Sequence, residues 1–110
     1  MLPSPADIHP LIDAARILVV EDEAIIASHI AARLEKAGYE VVGILNSSTE
    51  TMESLSGIDP GRLPDLILMD IRIKGPADGI DTALRVRDRF DIPVIFLTAH
   101  TDRETIDRAK

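Results

Sequence analysis

The chain has 110 residues, enough for one domain with a real hydrophobic core and too few for two. Twelve Lys and Arg stand against nineteen Asp and Glu, a formal charge of -7, which disfavours nonspecific attraction to nucleic acid or to an anionic membrane surface. The lack of cysteine removes disulfides, thiolate metal sites and cysteine nucleophiles. No apolar run reaches the length of a membrane span and the N-terminus lacks a signal-peptide pattern, so the cytoplasm is the expected location.

Residues 1–15 hold three of the seven prolines and no sustained periodicity, and read as an extended, poorly ordered leader with room for a helical turn at "LIDAA". From Arg16 the pattern becomes regular. "RILVVE" is an apolar strand, and "AIIASHIAARLEKAGY" places Ile26, Ile30 and Leu34 on one helical face before a stop at Gly38. "EVVGIL" is a second strand. "SSTETMESLSG" is a short helix opening on a capping box, Ser47 with Glu50 three residues on.

Gly57, Pro60 and Pro64 punctuate a loop, after which "DLILMD" is the third strand. "GIDTALRVRDRF" is a third helix with Ile80, Leu84 and Ala83 turned inward, and "PVIFL" is the fourth strand. A second capping box, Thr101 with Glu104, opens a helix that runs to Lys110. Strands that are apolar on both faces and alternate with helices predict a parallel sheet covered on both sides, a doubly wound α/β fold.

Three strands end on polar residues: Glu21 and Asp22 after the first, Asp70 after the third, Thr98 after the fourth. In a parallel sheet these ends share one edge, where open α/β sheets bind their ligands, and neighbouring first and third strands bring Asp22 to Asp70. Taken singly, a strand-end acid caps the next helix or faces water. The coincidence of four such positions points instead to a site. Clustered carboxylates repel unless a cation neutralises them, and hard oxygen donors suit Mg²⁺, with Mn²⁺ as a substitute.

"ILVVEDE", "LILMDIRI" followed by "DGID", and "PVIFLTAH" resemble the receiver domain of two-component response regulators, over residues 16–110. The resemblance implies a flavodoxin-like sheet with strand order 2-1-3-4. It also implies that Asp70 is the phosphoacceptor, taking a phosphoryl group from a sensor histidine kinase or a histidine phosphotransfer protein. Asp22 and Asp70 would ligate the metal with the backbone carbonyl of Arg72, Glu21 would assist through water, and the Thr98 hydroxyl would contact the phosphoryl group. Gly79 falls at the start of the family's third helix, and "KGPA" stands where many members have a shorter proline turn.

The family also carries a fifth strand ending in a lysine and a fifth helix. Neither is found in this sequence, since Lys110 falls within the helix after Thr98; a further strand and helix would need roughly 25 more residues. The expectation is a fourth strand left as an edge, with oligomerisation, strand exchange or marginal stability as its consequence.

Two other classes are compatible with the acids. An Mg²⁺-dependent phosphohydrolase with an aspartate nucleophile would carry a second Asp two residues after Asp70, where Arg72 stands. A pseudo-receiver used for docking would keep the fold without the chemistry. His29 and His100 read as a helix-surface and a loop residue, and Arg85, Arg87 and Arg89, interleaved with acids and lacking an aromatic platform, read as a solvated face. The chain is expected to be a signalling domain, with no nucleic acid or membrane partner of its own.

Overall fold

The computed structural model describes residues 14–73, 75 and 78–97. The leader through residue 13, Thr98, His100, the Thr101 and Glu104 cap and Lys110 lie outside the described residues. The elements are β1 (Arg16–Val20), α1 (Ala24–Lys36), β2 (Glu40–Leu45), α2 (Ser48–Ser56), a 3-10 turn (Pro60–Arg62), β3 (Leu66–Asp70), α3 (Gly79–Phe90) and β4 (Val94–Leu97). All strand pairs are parallel and the order is β2-β1-β3-β4, the order expected from the sequence.

Alternation along the strands divides the core between two faces. Leu18 and Val20 of β1 and Ile67 and Met69 of β3 pack against Leu55 of α2 and Ala83 and Val86 of α3. Ile17 and Val19, the other parity of β1, are equally buried but belong to no part of that cluster, and α1 lies along β1 and β2. On α1 the residues that bury fully are Ala27 and Ala31, while Ile26, Ile30 and Leu34 flank them half-buried. The small alanines let the helix approach the sheet, and the larger side chains spread to either side.

On α3 one inward assignment fails. Ile80 and Ala83 are buried as expected, but Leu84 is 61% exposed, and Thr82 and Val86 take the inner positions instead. The buried stripe runs through Gly79, Thr82, Ala83 and Val86, the i, i+3, i+4, i+7 spacing of one helical face, and at about 100° per residue Leu84 lies well outside it. Thr82 is tolerated inside because its hydroxyl donates to the Asp78 carbonyl at 2.7 Å.

α2 begins as its capping box predicts. The Ser47 hydroxyl accepts from the Glu50 N–H at 3.1 Å, whereas the Glu50 carboxylate accepts from the Asn46 N–H at 3.4 Å, one residue before the usual partner. Replacing Ser47 with Ala is expected to cost about 1 kcal/mol, read as a lower urea midpoint at unchanged slope. An unchanged midpoint would mean that water replaces the cap at no cost.

Candidate functional site

The β1–β3 register pairs Val20 with Met69, so the next step along both strands sets Glu21 beside Asp70. The Glu21 N–H donates to the Leu45 carbonyl at 2.9 Å, which ties this end of β1 to the end of β2. Burial then separates the acids: Glu21 is 4% exposed and Asp70 5% exposed, while Asp22, on the turn into α1, is half-buried. Each of the three offers a carboxylate oxygen, and these oxygens lie within 4.8 Å of one another.

Backbone N–H groups meet part of this negative charge. The Glu23 N–H donates to a Glu21 carboxylate oxygen at 3.1 Å, and the Arg72 N–H donates to Asp70 at 3.3 Å. Burial pushes the Glu21 carboxyl up to about 7, and the neighbouring Asp70 charge pushes the same way, against the Glu23 N–H. A buried carboxyl crowded by two others gains most from a hard cation, and three oxygen donors in this arrangement fit Mg²⁺ or Mn²⁺.

The backbone behind Asp70 is held by α3. The Gly79 N–H donates to the Ile71 carbonyl at 2.6 Å. A Cβ on Gly79 would overlap the Asp70 carbonyl oxygen and stand 2.8 Å from the Ile71 Cα. Gly79 is therefore required by close approach, at the position where the loop that follows Asp70 turns into a helix.

Three of the sequence-derived site residues, Glu21, Asp22 and Asp70, are thus brought together, and Arg72 follows two residues after Asp70. Thr98 lies outside the described residues. His29 is exposed on α1, and Arg85, Arg87 and Arg89 are exposed on α3. Sequence reasoning gave Glu21 an accessory place and missed its near-complete burial; the one available signal was that Glu21 continues the buried run of β1 without a break.

Residues 17–110 match the family model of the response regulator receiver domain. The chain belongs to that family. This receiver domain is 35% identical over 95 residues to the transcriptional regulatory protein PdtaR of Mycobacterium tuberculosis, covering 86% of the chain and 44% of PdtaR. It is 36% identical over 90 residues to the phyllosphere-induced regulator PhyR of Methylorubrum extorquens, covering 82% of the chain and 33% of PhyR. Among solved structures, the signal receiver domain of a modulated diguanylate cyclase from Desulfovibrio desulfuricans superposes with a TM-score of 0.77 at 35% identity, over 88% of this chain and 74% of that one.

The receiver domain spans less than half the length of these two curated relatives. Its family is one of two-component signalling modules, which work with histidine kinases or phosphotransfer proteins, rather than of conventional enzymes. Among the described residues no helix is long and apolar enough to cross a membrane.

Proposed function

We propose that this receiver domain is a phosphoacceptor, with Asp70 receiving a phosphoryl group from the phosphohistidine of a sensor histidine kinase or phosphotransfer protein in the cytoplasm, in the presence of Mg²⁺. The observation that carries the reading is the convergence of the Glu21, Asp22 and Asp70 oxygens within 4.8 Å, with Glu21 and Asp70 buried. Bound Mg²⁺ would offset charge on the transferring group. Asp22, Asp70 and the Arg72 backbone carbonyl would hold it, with Glu21 supporting through water.

In this reading an Asp70 carboxylate oxygen forms a bond to phosphorus as the bond to the histidine nitrogen breaks. The imidazole keeps the electron pair and is reprotonated from solvent. β3 serves as a rigid mount, since Ile67 and Met69 are fully buried and Asp70 cannot swing away from the strand end. Thr98 is proposed to contact the phosphoryl oxygens from the end of β4.

Intact-mass spectrometry after incubation with Mg²⁺ and acetyl phosphate tests the reading. The parent chain should gain one phosphoryl adduct, and Asp70→Asn should gain none while folding as the parent does. A folded parent that stays unmodified would favour a docking module without acceptor chemistry.

A further inference from the structure

Between Asp70 and α3, Gly75 is fixed by something other than the site. Gly75 sits at φ +112°, a conformation that side-chain-bearing residues rarely adopt. It lies against the first residue of α2: a Cβ on Gly75 would overlap the Ser48 hydroxyl oxygen and stand 3.2 Å from the Ser48 nitrogen and 3.4 Å from its Cβ. Ser48 is 4% exposed, and among the described residues its hydroxyl is the buried side-chain oxygen with no hydrogen-bond partner.

A buried hydroxyl without a partner is disfavoured by desolvation, so its neighbours are held there by other forces. α2 is anchored by the Ser47 cap and by Leu55 in the core. Ser48 is therefore a fixed surface, and Gly75 is the part of the loop that rests on it. Arg72, proposed above to turn its backbone carbonyl to the cation, is three residues upstream of that contact. Upstream of Arg72, the Ile71 carbonyl is held by Gly79. Arg72 is thus suspended between two points at which no Cβ fits.

We infer that Gly75, seated on Ser48, is a positioning residue for the divalent cation, setting the height at which the Arg72 carbonyl joins the Glu21, Asp22 and Asp70 carboxylates. The inference rests on the phosphoacceptor reading for the identity of the cation site. A Cβ at position 75 would strike the Ser48 hydroxyl, and Gly75 would have to move away from α2, at a point three residues from Arg72. Removing the Ser48 hydroxyl clears the atom that such a Cβ would strike.

The test is Mn²⁺ titration by calorimetry of the whole chain, held at a temperature where circular dichroism shows each variant folded. Gly75→Ala is expected to bind Mn²⁺ about tenfold more weakly, the scale of losses seen when groups that orient metal ligands are altered. Ser48→Ala should bind as the parent does, and Gly75→Ala combined with Ser48→Ala should recover part of the loss, a coupling that simple destabilisation would not produce. Gly61→Ala, where a Cβ meets nothing within 4 Å, is the control and should match the parent.

Unchanged Mn²⁺ affinity in Gly75→Ala overturns the inference and leaves the phosphoacceptor reading intact. A loss in Gly75→Ala with no recovery in the double variant also overturns it, since the loop would then be failing for backbone reasons unrelated to Ser48. A parent that binds no Mn²⁺ overturns both.

Discussion

Gly79→Ala is expected to destabilise the domain by about 3 kcal/mol and to lower its Tm by roughly 15 °C, although alanine is the better helix former. The added methyl would overlap the Asp70 carbonyl oxygen and approach the Ile71 Cα and carbonyl to 2.8 and 2.9 Å. All three are backbone atoms, and those of Asp70 belong to a strand paired on both sides, so there is no flexible side chain to move aside. Either α3 withdraws, breaking the Gly79 to Ile71 hydrogen bond and opening the Ala83 and Val86 contacts, or the end of β3 shifts and carries Asp70 with it. Urea denaturation followed by circular dichroism measures the first effect, and the acetyl phosphate adduct at a temperature where the variant is folded measures the second. A variant within about 1 kcal/mol of the parent, near the centre of ordinary point-mutant effects, would show that the close approach is relaxed in solution.

The second large effect is a pH dependence centred on Glu21. Its carboxyl is raised from about 4.5 to about 7 in the folded chain, mainly by burial and further by the Asp70 charge. Between those values the folded chain keeps a proton that the unfolded chain has released. The Glu21 contribution to stability is therefore greatest below pH 4.5 and is progressively lost as the pH rises to about 7. The informative quantity is the parent compared with Glu21→Gln, in which this component of the slope should be missing.

Cation binding should run in the opposite direction, since Mg²⁺ competes with that proton. The apparent Mg²⁺ affinity of the parent is expected to rise about tenfold between pH 6 and pH 8, with most of the gain complete just above pH 7. Glu21→Gln should bind more weakly at pH 8 and show a flatter profile. Calorimetric titrations at the two pH values decide the matter, and a pH-independent parent affinity would place the proton on a group away from the cation.

The route from sequence to site was short where a single residue type answered a local demand. Continuous apolar runs located the four strands, and helical spacing and a capping box located the three α-helices, because these are properties of neighbouring positions; the 3-10 turn at Pro60–Arg62 lies in what reads as a loop. Ser47 announced α2 by its hydroxyl, and the acids after β1 and β3 were conspicuous because they end runs that are otherwise apolar. Leu84 shows where the approach fails: being apolar and four residues after Ile80, it matched a helical face, but the sheet chose the face bearing Thr82 and Val86. Volume and approach angle make that choice, and neither is written in the order of residues along one helix.

By itself, then, the sequence determined the parallel α/β class, the strand order through its family resemblance, and the presence of acids at the ends of β1 and β3. Each of these follows from local periodicity or from a motif contained within a few residues. Only the tertiary structure decided that Glu21 is buried, that its carboxyl is raised by burial and by Asp70, and that Gly75 and Gly79 touch Ser48 and Asp70. Burial and close approach depend on atoms brought together from distant parts of the chain, and their energies exist only once the sheet has closed and water has left.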